Sequence, residues 1–286
     1  MKNLIKKNQA VSFVLLTYLI SWIIWMPIKN LIQSELYSSP LYVVVMLMIG
    51  GYGPTISAIV ISGIIGGRVQ VKNLLKKFLI FRVGSKWYAI ALLAGPIIAI
   101  VGTCIYKFSG GELGWINYQA FLWFPVFIFI AALFGPLAEE LGWRGFLLPK
   151  VFEKYGYFKS SIILGLIHTF WHTPLFWAAE GTSISGMPIT FLTVSKYAIF
   201  ITGTSFIYTW VLKNTRWSVF LAILIHAGIN GGNIALQYVM PEMKDKNAIW
   251  NMEFWVLAIL IFTIMTFTIA KRFSKKNSWK INQRQT

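Results

Sequence analysis

All three histidines of this chain, His168, His172 and His226, fall inside long apolar stretches, and so do the adjacent Glu139 and Glu140 and the nearby Arg144. An ionisable group inside such a stretch costs roughly 2.5–3.5 kcal/mol on insertion scales, so it marks a functional site by default. Spacing sorts these groups into pairs. Glu140 and Arg144, His168 and His172, and His226 and Asn230 each stand four residues apart, which sets each pair on one helix face. A carboxylate beside an imidazole can take a proton from water as a general base. A second imidazole and an amide can donate hydrogen bonds to an oxyanion. Arg144 can neutralise one member of the Glu139–Glu140 pair. That inventory fits hydrolysis of an amide without a Ser, Cys or Asp-pair nucleophile. The same groups permit a second chemistry, in which one Glu and up to three His (His168, His172, His226) hold zinc with an open position for water. Blander roles exist for each pair alone: a helix-stabilising ion pair for Glu140–Arg144, packing for His168, interhelical hydrogen bonding for His226–Asn230. The conjunction of three polar stripes outweighs them.

The elements that must position these groups are helices in a bilayer. The 286 residues are 57% hydrophobic and 12% charged, about half the charge of a soluble domain. The apolar runs are continuous, which excludes the alternation of an outer-membrane barrel. Eight stretches approach the roughly 20 apolar residues that a helical span needs: 9–28, 41–66, 87–106, 120–148, 160–177, 188–212, 217–239 and 250–270. The fourth is too long for a simple span and is interrupted by charge. The polar groups share a depth. Measured from the cytoplasmic ends of their spans, Glu139 and His226 lie roughly 13 Å deep and His172 roughly 18 Å, at 1.5 Å per residue. Stripes on separate helices at one depth can converge on one cavity.

Charge fixes the expected orientation. Twenty-one of the 26 Lys and Arg fall at the N-terminus, in alternate loops and in the tail, whereas only Lys29, Lys107, Lys244 and Lys246 fall in the loops of the other side. By the positive-inside rule both termini are cytoplasmic. This also gives the net charge of +17 a membrane explanation and removes the case for a nucleic-acid partner. Segment 68–86 repeats Leu74, Leu75, Phe78, Leu79 and Phe81 at helical spacing among basic residues, as in an amphipathic helix lying on the anionic cytoplasmic leaflet. The first apolar run exceeds a signal-peptide core and has no small-x-small exit, so it reads as a first span. The single Cys104 allows neither an internal disulfide nor a Cys-pair metal motif. The expectation is an all-α polytopic membrane protein of about eight helices. It forms one integral-membrane domain over 1–286, with a catalytic core at about 120–239, the amphipathic segment 68–86 and a basic tail 271–286.

Three motifs in order, Glu139-Glu140-x-x-x-Arg144, His172 in FWHTPLFW and His226-x-x-x-Asn230 in LIHAGIN, resemble those of the CAAX prenyl protease and bacteriocin-immunity (CPBP, or Abi) family of intramembrane proteases. GYGPTISAI, with Gly53 and Pro54, is similar to that family's second-helix stretch. The resemblance implies peptide-bond hydrolysis within the membrane. Carried over by position, Glu139 with His172 activates the water, His226 and Asn230 hold the oxyanion, and Glu140 and Arg144 shape and charge-balance the site. It implies a glutamate-dependent reaction without a metal cofactor, zinc on His168, His172 and His226 being the alternative. One departure stands out: His168 occupies a position where the family places an aromatic, which implies that Phe would be tolerated there. The implied substrate is a membrane-associated peptide or protein. The eukaryotic branch removes a tripeptide from prenylated proteins, whereas bacterial members resemble peptide-maturation, self-immunity or regulatory proteins. Lys-, Ile- and Asn-rich usage points to a bacterial cell membrane. A non-catalytic immunity or scaffold protein keeping the polar cavity is a reading of another class. A proton-coupled transporter is a third, although the internal repeat or paired broken helices of a transporter are not visible in the sequence.

Overall fold

The structure is a computed structural model, and the residues it describes are 2–34, 36–244, 256–264 and 266–268. They are helical, with no strand among them. After the short helix Lys2–Lys7 come α1 (Gln9–Ile28), α2 (Leu41–Gly51), α3 (53–65), α4 (68–75), α5 (Ser85–Phe108), α6 (Phe124–Leu133), α7 (136–155), α8 (157–171), α9 (Phe191–Lys213) and α10 (Val219–Val239). Residues 256–264 and 266–268 add a further helical stretch.

Several of these helices depart from the expected spans, each for a local reason. The run 41–66 is two helices in succession, divided at Tyr52. Pro54 has no N–H to offer the Gly50 carbonyl four residues back. Ser21 of α1 donates to that carbonyl instead, at 2.7 Å, and Trp25 one turn on donates to Leu47 at 2.9 Å. The break is thereby stitched to α1. A second interruption at Gly66 and Gly67 separates α3 from α4. The helical part of 68–86 ends with a 3-10 turn at Lys76–Leu79, so the amphipathic helix is shorter than the basic pattern suggests. The run 120–148 opens with the 3-10 segment Tyr118–Trp123 and breaks between α6 and Pro136, the two parts being bent by 46°. The run 160–177 starts earlier, at 157, and stops at Trp171, after which Thr173–Trp177 is 3-10.

α7 and α8 form a hairpin. Gly156 sits at φ 70° and ψ −173°, a conformation that costs a residue with a Cβ dearly and glycine little. α1 caps the far end of the hairpin: Tyr18 and Trp22, one turn apart, donate to the carbonyls of Ile167 and Trp171, of which the Trp171 carbonyl lacks a helical partner at the chain's exit from α8. On the other flank α5 meets α10 where Gly95 faces the Gly228 backbone so closely that a Cβ on Gly95 would overlap it. The two backbones can approach only because neither residue has a side chain.

By length and composition α1 with its extension to Leu31, the run Gly53–Leu79, α5 and α10 can each cross a bilayer, and the bent pair Tyr118–Leu133 and Pro136–Trp171 raises the number to five among the described residues. α9 is 23 residues long but carries six Ser and Thr residues within it. Much of the eighth expected span, 250–270, and all of the basic tail 271–286 lie outside the described residues. The chain is an integral membrane protein. Many large apolar side chains of the spanning helices, such as Leu15, Leu19 and Ile23 of α1, are exposed, as a lipid-facing surface requires.

Candidate active site

The hairpin α7–α8 carries most of the candidate groups, and α9 and α10 close around it. α7 contains the π-turn Leu141–Leu147 directly after Glu139 and Glu140; such turns occur often at functional sites because they widen the helix and re-aim its side chains. Glu140 and Arg144 are the most deeply placed pair, 0% and 1% exposed. Arg144 Nη1 donates to Glu140 Oε1 at 2.9 Å. His226 Nδ1 reaches the same oxygen from α10 at 2.7 Å. A carboxylate paired with a guanidinium only accepts, so His226 donates through Nδ1. The guanidinium also lies over the Tyr208 ring of α9, 4.0 Å from its centroid, a cation–π contact that holds the cation in place. Three helices are thus fastened at Glu140 and Arg144.

Glu139 points to a different set of partners. His168 Nε2 stands 3.0 Å from Glu139 Oε2, and Arg144 Nη2 stands 3.4 Å from His168 Nδ1. Arginine can only donate, so Nδ1 of His168 accepts, its proton sits on Nε2, and that N–H donates to Glu139. His172 Nδ1 lies 3.0 Å from the His168 carbonyl and 3.2 Å from the Tyr197 hydroxyl of α9. A carbonyl only accepts, so His172 donates from Nδ1 and its Nε2 keeps a lone pair. Glu139, His168 and His172 each present one donor atom within 4.8 Å of the others, and so do Glu139, Glu140 and His226. Glu139, Glu140, Arg144 and His168 are buried, while His172, His226 and Asn230 are half-buried. The cluster therefore has a closed floor and a more accessible rim.

The structure brings Glu139, Glu140, Arg144, His172 and His226 into one polar cluster. Asn230 lies one turn beyond His226 on α10, and its side chain makes no hydrogen bond among the described residues. His168, read from the sequence as a packing residue at an aromatic position or as a zinc ligand, is the direct hydrogen-bond partner of Glu139. The physical reason is register: one turn before His172 on the inner face of α8, it meets the first turn of α7. Tyr197 and Tyr208 were not identifiable from the sequence. They are two of 12 Tyr, and α9 has no acidic or histidine stripe to flag them. The aromatic wall around the histidines includes Trp171, whose ring centroid is 4.5 Å from that of His172, and Trp143, 5.4 Å from His168.

This arrangement can hold a water between a carboxylate and an imidazole, and can present N–H groups to a developing oxyanion. Its Glu139–His168–His172 set also has the donor chemistry of a zinc site.

Comparison with known proteins agrees with the motifs. Residues 121–232 match the family model described as type II CAAX prenyl endopeptidase Rce1-like. That span contains every residue of the cluster from Glu139 to Asn230. The chain is also 25% identical over 229 residues to a CAAX prenyl protease 2 of Methanococcus maripaludis, covering 79% of this chain and 83% of that protein. Together with the apolar helices, these similarities support an intramembrane protease.

Proposed function

We propose, from the premise that the chain belongs through residues 121–232 to the Rce1-like family of CAAX prenyl endopeptidases, that it hydrolyses a peptide bond in a membrane-associated, prenylated substrate with a water activated by Glu139. The observation that carries this reading is the buried Glu139 carboxylate, 6% exposed, fixed on one side by His168 and facing His172 on the other. Groups within 4.8 Å of one another can share one water, since each hydrogen bond spans roughly 2.8 Å. Glu139 takes the proton as that water attacks, and His172 Nε2 is a second acceptor on the same side. His168 positions Glu139, and its tautomer is set by Arg144. His226, tied to Glu140 through Nδ1, turns Nε2 to the oxyanion, a donor there when the ring carries both protons, with the Asn230 amide as the second donor. Glu140 and Arg144 hold the geometry and balance its charge. The positive-inside pattern supports both termini in the cytoplasm, where a cytoplasmic protein's lipidated end would be met.

The test is cleavage of a prenylated peptide by the purified protein in lipid nanodiscs, with Glu139→Gln as the comparison. Loss of cleavage at unchanged membrane abundance supports the proposal. Retained cleavage refutes the role of Glu139, and no cleavage by the intact chain favours the immunity or scaffold reading. A second reading, zinc held by Glu139, His168 and His172, is favoured by their convergence. Zinc would supply a water of lowered pKa there. The direct 3.0 Å contact of His168 with Glu139 is a hydrogen bond that occupies His168 Nε2 without an ion, so we favour the metal-free reaction.

A further inference from the structure

The π-turn that carries Arg144 has a second side. There a cavity of about 300 Å³ opens between the start of α1, the end of α3, α4 and α7. Two lysines enter it, Lys77 and Lys150, together with the polar side chains of Gln9, Ser62, Gln70 and Asn73. No acidic side chain lines it; the two ammonium groups repel one another, and Glu153, outside the lining, is the carboxylate that acts on Lys150. Neither forms an ion pair among the described residues.

Both lysines are held by the π-turn. Pro149 has no N–H for the Gly145 carbonyl four residues back, and Lys77 donates to that carbonyl at 2.6 Å. An ammonium has three N–H groups, so two remain for a ligand. The Lys150 ammonium lies over the Phe146 ring, 4.7 Å from its centroid. Two half-buried cations converging with amides and a hydroxyl match a compact anion with several acceptor oxygens. Beside the opening, Leu75 and Leu79 of the same helical run expose their side chains one turn apart, and Arg68, Lys72 and Lys76 form an exposed basic row. Apolar chains and an anionic head are thus both provided for.

We infer that this cavity binds the phosphate of an anionic lipid headgroup through Lys77 and Lys150, tying α4 to the π-turn behind the catalytic cluster. The source of the phosphate is the bilayer, which the adjoining exposed leucines favour over a free ion.

The experiment uses purified full-length protein in an uncharged detergent, titrated with short-chain phosphatidylglycerol, phosphatidylcholine and inorganic phosphate, reading affinity by tryptophan fluorescence and stability by thermal unfolding. Phosphatidylglycerol is expected to bind and to raise the melting temperature, with phosphatidylcholine weaker by about tenfold. The double variant Lys77→Gln with Lys150→Gln is expected to lose about tenfold or more in affinity for phosphatidylglycerol, and Arg68→Gln with Lys72→Gln less than about threefold. Equal binding by the double variant, or an equal loss in the basic-row variant, overturns the assignment. Inorganic phosphate that binds as well as the lipid would keep the anion site and overturn its lipid source. Should loss of the Lys77–Gly145 bond unfold the double variant, Lys150→Gln alone carries the test, because its ammonium holds no backbone carbonyl. Its affinity should fall by about threefold or more, and an unchanged affinity refutes the proposal.

Discussion

Glu139 and His168 are 29 residues apart in the chain and 3.0 Å apart in space. A continuous helix would separate them by roughly 43 Å at 1.5 Å per residue. The chain instead reverses at Gly156, so the first turn of α7 and the last turn of α8 lie side by side. The carboxylate best placed to take a proton is therefore held by a residue that the family resemblance treats as a replaceable aromatic. The Arg144 guanidinium behind His168 decides which of its nitrogens carries the proton.

Replacing Glu139 by Gln keeps the shape and an acceptor oxygen for His168 but removes the base. Cleavage of a prenylated peptide in nanodiscs should fall by a factor of about 10² to 10⁴ in kcat, with the melting temperature within a few degrees of the parent. A variant that cleaves at the parental rate removes Glu139 from the reaction.

His168→Phe separates the resemblance from the geometry. The family pattern implies that Phe is tolerated. The structure implies that it leaves Glu139 without its donor and Arg144 without its acceptor in a buried setting. We expect a fall of about a hundredfold in kcat, as for a misplaced reacting group, with KM changed little. His168→Gln, whose amide can donate to Glu139 and accept from Arg144, should recover part of the loss. Parental kcat in the Phe variant would show that Glu139 is positioned by something else.

Glu140 and Arg144 should behave differently, because they join α7 to α9 and α10. Removing one partner of a buried ion pair costs about 3–5 kcal/mol, since the other charge is left uncompensated. Glu140→Ala strands both Arg144 and His226, so it should lower the thermal stability and membrane abundance far more than Glu139→Gln does. Equal stability of the two variants would contradict the division of labour drawn between the adjacent glutamates.

The site was legible in the sequence because its members are costly in a bilayer and recur at one-turn spacing, which locates faces and depth without tertiary information. Glu140 with Arg144 and His226 emerged that way. His168 emerged as a polar group but not as the partner of Glu139, and Tyr197 did not emerge at all. The role of His168 depends on the α7–α8 reversal, and a tyrosine in an apolar run carries no cost that would mark it. The helix break at Pro54 was hidden inside a run of uniform hydropathy, and that at Pro136 inside a run whose length and charge marked it only as too long for a simple span. Ser21 shows why the chain tolerates the first: its hydroxyl replaces the missing N–H, a partnership that no local pattern reveals.

Orientation can be tested at two described helix ends. Lys107 closes α5 and Asn214 caps α9; the positive-inside pattern sets them on opposite sides of the membrane. Cysteines introduced there, in a Cys104→Ser background, should differ in labelling by an impermeant thiol reagent in intact cells, with Lys107→Cys labelled and Asn214→Cys protected. Labelling of both or neither would overturn the assigned topology.

The last prediction concerns metal. His168 and His172 have the spacing of two zinc ligands on one helix face, and Glu139 comes within reach of both. Against a required ion stands the bonding around each group. His168 already gives Nε2–H to Glu139 and accepts from Arg144, so a metal at Nε2 would have to displace the contact that positions the carboxylate. Of these two histidines only His172 keeps a lone pair free, through the donation of Nδ1 to the His168 carbonyl. One free imidazole and one carboxylate are fewer protein ligands than the three usual at a catalytic zinc, but they suffice to share a water. Purified protein dialysed against a chelator should therefore keep its cleavage rate, with zinc well below one ion per chain by elemental analysis. Stoichiometric zinc, activity lost on its removal and regained on its return would reverse the assignment. His168 and His172 would then be ligands, and Glu139 either a third ligand or the base beside the metal-bound water. The Glu139→Gln variant extends the comparison, since a carboxylate that serves only as base leaves zinc affinity largely unchanged when replaced, whereas a ligating one lowers it.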